Sequence, residues 1–478
     1  MWLLALAACA DSPAPVVVRG QFAPPVGEYR NVLLVCLDCV RPDHIGAYGY
    51  DERPSSPWLD ELAERSIVFE SAWAASTWTK SSVPSYLTGL LPVQHGVFEG
   101  VMIGRERALS DSLPGAAVSV AEAFQENLYD TACIASNAQI GEEFGFGQGF
   151  RHFVNRPSHG RGIVTQAAEW LRERDDSTPY FLYLHFIDTH WPYRIPSSFQ
   201  ARFSTEEAVA QIGLEEGAPW FLGVNRGEIE LSPEQIETWR AIYDGSLSYS
   251  NDLLAQLMPV VEATSGGRET VLCVISDHGE DLLEYGTFGH GENLRNETLR
   301  VPWIFHVPGV EPRRVKEHVS LTELPARLLE ASGLDETLPA AGDRPPLHGA
   351  VFSELSLEAA YQQCWIRGDH KLVREYRATP DLRAQLDPGT GRLRAARIRA
   401  LLRLGPEDAR SLGWTVTDRL YEVAGREDRP VTQRRDLQEE LADELEEYCR
   451  LLLEAVLATE ETTIKPGQLQ ELDALGYR

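Results

Sequence analysis

The stretch Asn31-Val-Leu-Leu-Val-Cys-Leu37, followed at once by Asp38, decides the fold. Its unbroken apolar run suits a strand buried on both faces, because a strand with one wet face would alternate. Similar runs recur at 131–135 (TACIA), 180–187 (YFLYLHFI), 270–275 (TVLCVI) and 302–307 (PWIFHV). Helical periodicity lies between them, at 57–66, 79–89, 163–174 and 234–262. Strand alternating with helix predicts an α/β fold, a mainly parallel sheet flanked by helices. Ligands of such sheets sit beyond the carboxyl ends of the strands. Asp38 stands at such an end.

Further out, the pattern changes near 348. GAVFSEL (349–355), CWIRGDHKLVREY (364–376) and DRLYEVA (418–424) read as antiparallel strands. A helix follows, with Leu437, Leu441, Leu445 and Tyr448 on its apolar face. The expected organisation is a tether over 1–27, a catalytic domain over 28–347 and a C-terminal sheet-plus-helix subdomain over 348–478. The first residues, Met-Trp-Leu-Leu-Ala-Leu-Ala-Ala-Cys9, form an apolar run too short to span a bilayer. Leu6-Ala7-Ala8-Cys9 fits a lipobox, and a Pro-rich segment follows, although no Lys or Arg precedes the run. The expectation is an exported protein of the cell envelope or periplasm, with Cys9 as a lipid anchor.

Composition narrows the partners. The 478 residues are 43% hydrophobic and 24% charged, ordinary for a globular protein. A formal net charge of -28 repels nucleic acid and anionic lipid. An anionic substrate therefore needs local positive charge, most cheaply from a metal ion. The seven cysteines are too sparse for a disulfide framework. Cys36 and Cys39 form a C-x-x-C with no second pair to complete a zinc site, so the pair reads as structural.

Three segments carry candidate chemistry. Asp38 alone reads equally as a turn or cap residue. Ser276-Asp277-His278-Gly279-Glu280 repeats its arrangement after the strand TVLCVI, and carboxylate beside imidazole suits calcium, magnesium, manganese or zinc. Between them, Ser76-Thr-Trp-Thr79-Lys80 places hydroxyls where a helix begins. Such a position offers an anion free N–H groups and a helix dipole. Asn137, in IASNAQI after the strand at 131, faces the same crevice by the same strand-end rule. His95 and His185 read as satisfied core histidines.

In order along the chain, NVLLVCLDCVRPDHIGAYGY, STWTKSSVPSYLTGLLPVQHGV, FLYLHFIDTHWPY, SDHGEDLLEYGTFGHG with LRVPWIFHVPG, and LDALGYR resemble successive blocks of the sulfatase family, within the alkaline phosphatase superfamily. The resemblance spans roughly 30 to 478 and implies that superfamily's α/β domain with a smaller C-terminal sheet. It places the nucleophile nine residues before the Thr of Leu-Thr-Gly, at Thr79. Sulfatases carry Cys or Ser there and convert it to formylglycine within C/S-x-P/A-x-R. Here the motif is Thr79-Lys80-Ser81-Ser82-Val83, and Thr cannot be converted. A rival register at Ser82 would move the nucleophile into the helix. Direct Thr nucleophiles resemble those of nucleotide pyrophosphatase/phosphodiesterases and lipoteichoic acid synthases.

By the same resemblance, Asp38, Thr79, Asp277 and His278 hold a divalent ion: calcium, manganese or zinc. Cys39 stands where the family often has a second Asp. His190 matches a substrate-contacting histidine, and His290 lies near the family's catalytic Lys or second-metal His. Convergence of Asp188, His190 and His290 would allow a second ion. Lys80 would supply charge beside the nucleophile, and Asp188 would contact substrate. The expected reaction is hydrolysis of a small-molecule or glycan anionic ester of sulfate or phosphate, or of a phosphonate. A genuine sulfuric ester hydrolase, or an inactive surface protein that binds glycans or other anions, are the alternatives. Specificity is expected from the 195–233 loop with Trp220 and Phe221.

Overall fold

The computed structural model describes residues 22–463 apart from 26–27, 101–108, 157–158, 214–217, 339–346, 348, 358, 385–392, 394, 425–426, 428 and 457–459. Cys9, most of the tether and LDALGYR lie outside the described residues. No helix among the described residues is long and apolar enough to cross a membrane.

Among the described residues, nine strands form the large sheet: β1 (Asn31–Leu37), β2 (Ile67–Trp73), β3 (Asp130–Ala135), β4 (His152–Asn155), β5 (Tyr180–Phe186), β6 (Thr270–Ile275), β7 (Arg300–Val301), β8 (Trp303–His306) and β9 (Arg313–Ser320). Their order is β7-β2-β8-β6-β1-β5-β3-β4, with β9 also on β2. β1 lies between β6 and β5, parallel to both, and β3 is parallel to β5. The sheet is mainly parallel, as the apolar runs predict. β8 departs, running antiparallel to β6 and β2. The segment between β6 and β8 holds no crossover helix, only the short Asn296–Leu299, so the chain turns straight back.

Both faces of β1 are buried, and the pleat divides them. Val32, Leu34 and Cys36 join a core with Val83, Phe124 and Leu328. Leu33, Val35 and Leu37 join another with Leu59, Ile163 and Leu253. Helices therefore cover the sheet on either side: Thr79–Thr88, Val120–Glu126 and Leu324–Ser332 on one face, Pro57–Glu64, Gly160–Glu173 and Pro233–Ala263 on the other.

A second sheet, β10 (Val351–Leu357), β11 (Ala360–Arg367), β12 (His370–Ala378) and β13 (Trp414–Glu422), is antiparallel and in chain order. CWIRGDHKLVREY folds as the hairpin from β11 to β12, turning where Gly368 takes φ 55. The helix Arg435–Leu452 buries Leu441, Leu445 and Tyr448 against this sheet. The two sheets join at β10, where Glu354 N–H donates to the Ala75 carbonyl at 2.9 Å.

Candidate active site

Register aligns the carboxyl ends that matter. Cys36 pairs with Ile275 on one side and His185 on the other, and His185 pairs with Ala135. Residues just past these positions meet at one edge: Asp38 after β1, Asn137 after β3, His190 after β5, Asp277 and His278 after β6. Thr79 opens the helix Thr79–Thr88, whose N-cap residue Trp78 is extended and supplies no side-chain cap. The positive end of that helix thus faces the Thr79 hydroxyl. Asp38, Asn137, Asp277 and His278 are fully buried, and Thr79 is 2% exposed.

The contacts close around Thr79. Its Oγ1 lies 3.3 Å from His278 Nε2 and 3.4 Å from Asn137 Nδ2. Asn137 Nδ2 also donates to Asp38 Oδ2 at 2.7 Å. His278 Nε2 is 3.3 Å from Asp277 Oδ2 and 3.7 Å from Asp38 Oδ1. His278 Nδ1 donates to the Gly279 carbonyl at 2.9 Å, which leaves the lone pair on Nε2. Burial opposes the charge on Asp38, but a hydrogen bond from His185 and the nearby imidazoles hold its carboxyl well below the usual range. Burial lowers His278, yet Asp277 and Asp38 outweigh it and raise the imidazole.

These donors fit a divalent cation. Two desolvated carboxylates converge, and Asp277 Oδ2 is buried with no hydrogen-bond partner among the described residues. Among the described residues, the charged partners of Asp38 and Asp277 are histidines. Carboxylate oxygens, an imidazole nitrogen and a hydroxyl suit a hard or borderline ion, and such an ion would satisfy the orphaned oxygen.

His190 and His290 join the cluster from its open side. Their ring centroids are 5.0 Å apart, and His290 lies 4.3 Å from the His278 ring. The His290 side chain is 16% exposed. Phe221 packs on Phe288 and Trp191 beside this opening, and Trp220 stacks on Trp239.

Two expectations meet a different arrangement. Asp188 does not converge with His190 and His290: its Oδ1 accepts the Gly160 N–H at 2.9 Å, anchoring the helix Gly160–Glu173. Burial pushes its carboxyl up to about 7. Lys80, expected to supply charge beside the nucleophile, is buried and its ammonium is engaged elsewhere. Its Nζ donates to the Gln139 carbonyl at 3.0 Å and sits 3.7 Å over the Phe144 ring, and burial lowers it to about 7. Ser82, the rival nucleophile, donates to the Asp277 carbonyl at 2.6 Å. His95 is the core histidine expected, held between Ser85 and the Val97 N–H.

His185 is not a bystander. Its Nε2 donates to Asp38 Oδ2 at 3.0 Å, and its Nδ1 meets the Tyr183 hydroxyl at 2.7 Å. Cys39 and Glu280 also belong to the cluster. The Cys39 thiol donates to Asp38 Oδ1 at 3.1 Å, and Glu280 Oε1 accepts from His290 Nδ1 at 2.9 Å. The signal for His185 was its place in the β5 run, one strand from Asp38. An imidazole inside an apolar run otherwise reads as core.

The family model named Sulfatase matches residues 30–334. Human iduronate 2-sulfatase is 24% identical over 343 residues, covering 58% of this chain and 60% of its own length. An arylsulfatase from Clostridium perfringens is 22% identical, covering 58% of this chain and 69% of its own. The match to the human enzyme thus spans three-fifths of that protein. Among solved structures, the phosphonate monoester hydrolase of Agrobacterium radiobacter superposes with TM-score 0.61 at 16% identity, covering 91% of this chain and all of its own. A structure with bound D-glucosamine-2-N,6-O-disulfate gives 0.62 at 13%, covering 89% and 99%. These superpositions place the fold among alkaline phosphatase and sulfatase structures. With the model covering most of the chain, the protein belongs to the sulfatase family.

Proposed function

We propose that the chain is a metal-dependent hydrolase of sulfate or phosphate esters, phosphodiesters or phosphonates, with Thr79 as its nucleophile. The observation that carries this reading is the position of Thr79 Oγ1, 3.3 Å from His278 Nε2, on a helix's first turn beside two buried carboxylates.

Asp38, Asp277 and His278 would hold one divalent ion (calcium, manganese or zinc), which when bound lowers the Thr79 hydroxyl pKa and offsets charge on the ester's oxygens. Thr79 Oγ attacks the phosphorus or sulfur in line. Its new bond forms as the bond to the leaving oxygen breaks. Asn137 holds the hydroxyl and Asp38 in one orientation. His190 or His290 protonates the departing oxygen. Burial lowers His190, and burial with the neighbouring His278 lowers His290 to about 3. An anionic ester beside them would raise both imidazoles, since a nearby opposite charge favours the protonated form. Water then attacks the phosphorus or sulfur of the Thr79 ester, releases the acid and restores the hydroxyl.

A Thr ester has no second hydroxyl with which to expel sulfate. That chemistry favours phosphoryl and phosphonyl groups, while sulfatase relatives favour sulfate. Rates on an aryl phosphodiester, an aryl phosphonate monoester and an aryl sulfate separate the two. Full activity of Thr79→Ala would overturn the mechanism. Tight binding of a sulfated glycan, with no turnover of any ester, would make the chain a binding protein.

A further inference from the structure

We infer that Tyr86, Tyr183 and His185 form a buried hydrogen-bond network that positions Asp38 and ties it to the helix of the nucleophile. All three act through Asp38, so they are positioning residues. What the network does for a cation rests on the proposed function. The network itself does not.

The order of donors follows from its far end. The Asp38 carboxylate accepts, so His185 Nε2 carries a proton and donates to Oδ2 at 3.0 Å. Nδ1 of a neutral imidazole is then an acceptor in need of a donor. The Tyr183 hydroxyl, at 2.7 Å, supplies it. The Tyr183 oxygen in turn accepts from the Tyr86 hydroxyl at 2.6 Å. In this arrangement both ring nitrogens and both hydroxyls are satisfied. Asp38, Tyr86 and His185 are fully buried and Tyr183 is 1% exposed, so bulk water cannot stand in for any of them.

The network crosses from helix to sheet. Tyr183 and His185 are two residues apart on β5 and share a face. Tyr86 lies seven residues after Thr79, two turns along the helix Thr79–Thr88 and on the same side of it. Asp38 Oδ2 has two donors, His185 Nε2 and Asn137 Nδ2 at 2.7 Å. Its Oδ1 meets the Cys39 thiol, a weak donor, at 3.1 Å, and faces His278 Nε2 at 3.7 Å. The network thus decides which oxygen is left for the proposed cation. Without the Tyr183 hydroxyl, Nδ1 loses its donor. The ring can then turn, or carry its proton on Nδ1 and set a lone pair against Oδ2.

Two measurements test this: Mn(II) titration of the metal-free full-length protein, and its melting temperature before metal is added. His185→Leu should weaken Mn(II) binding at least about tenfold, and Tyr183→Phe about three- to tenfold. Tyr86→Phe should weaken it less than Tyr183→Phe does. Tyr183→Phe should also lower the metal-free melting temperature by about 2 °C or more. His185→Gln keeps an amide N–H near the place of Nε2, whatever Tyr183 does. It should hold Mn(II) affinity within about twofold of the natural chain, and Tyr183→Phe added to it should change that affinity little. A packing role would give the same loss on both backgrounds. Equal losses overturn the proposal, as does unchanged affinity in Tyr183→Phe, which is the deciding variant should His185→Leu not fold. A natural chain that binds no Mn(II) would overturn the cation reading of Asp38. The melting temperatures would then decide the network: Tyr183→Phe should cost less on the His185→Gln background, and an equal cost overturns it.

Discussion

In β12, Lys371 is fully buried, and its ammonium is met by Glu427 at 2.7 Å and Asn296 at 3.1 Å. Its neighbour Arg374 grips Asp418 with two bonds of 2.7 Å and Glu446 with a third. At the carboxyl ends of the large sheet, Asp38, Asp277 and Glu280 are as deeply buried, and among the described residues their ion pairs are with histidines. Both regions desolvate charge, which is costly unless opposite charge is close. Lys371 and Arg374 close their charges within the chain. The strand ends leave an excess of carboxylate that a cation from solvent can complete. Closed pairs hold structure together, and an open cluster marks where chemistry takes place.

The largest effect expected from this contrast lies on the open side. Thr79→Ala should lower kcat by at least about 1,000-fold, or roughly 4 kcal/mol in the barrier, without changing the melting temperature by more than a few degrees. Steady-state rates on an aryl phosphodiester and an aryl sulfate would show it. Comparable rates in the variant would mean that the open cluster serves something other than this hydroxyl. On the closed side, Lys371→Met strands Glu427 without its cation. The expected cost is about 3–5 kcal/mol of stability, read by denaturant unfolding, with the active site unchanged in metal content.

A buried carboxylate without a cation has another course, which is to keep its proton. Asp188 does so: burial raises it to about 7, above its ordinary value of 3.8. The folded chain therefore holds a proton between about pH 4 and 7 that the unfolded chain has lost. Stability is greatest at the acid end of that window and falls as pH rises through it, by up to about 1.4 kcal/mol per unit. Asp188→Asn keeps an acceptor for the Gly160 N–H and should remove this slope. Unfolding measured at pH 5 and pH 8 should show the variant gaining on the natural chain at the higher pH. An equal difference at both pH values would show that Asp188 is ionised throughout. The Asp38 cluster follows the other course. A divalent ion at 100 times its Kd should stabilise the natural chain by about 2.7 kcal/mol and Asp277→Asn by far less, as thermal melts with and without chelator would report.

How much of this could be read from sequence depended on what each residue packs against. β1, β3, β5 and β6 are buried on both faces, so their runs stood out, and the strand-end rule then pointed to Asp38, Asn137, Asp277 and His278. β9 did not stand out, because RRVKEHVS is half solvated and its charges mask the apolar positions. β2 is interrupted by Glu70 and Ser71, which are only partly buried. His185 hid for the opposite reason, inside a run so apolar that a buried imidazole seemed ordinary. Asp188 and His190 are two residues apart, but the turn after β5 sends one to the Gly160 helix and the other to His290. Sequence spacing in a loop does not carry that direction. Cys39 was legible only as half of a C-x-x-C, whereas its neighbours in space are Asp38 and His290.

Ser82 provides the finest test of the contrast, because it lies three residues from Thr79 on the same helix. Thr79 is at the first turn, where its oxygen faces His278 and the acids. Ser82 Oγ is already committed, donating to the Asp277 carbonyl at 2.6 Å. That bond ties the helix to the turn that presents Asp277, so Ser82 acts by position. Removing the hydroxyl leaves the carbonyl unsatisfied and should cost about 1 kcal/mol of stability. Because Asp277 would be held less firmly, kcat of Ser82→Ala should fall less than about tenfold, well short of the Thr79→Ala loss. A Ser82→Ala loss equal to that of Thr79→Ala would instead place Ser82 at the reacting atom. A Ser82→Thr variant, which keeps the donor, should recover both stability and rate if the hydroxyl serves only to fix the Asp277 turn.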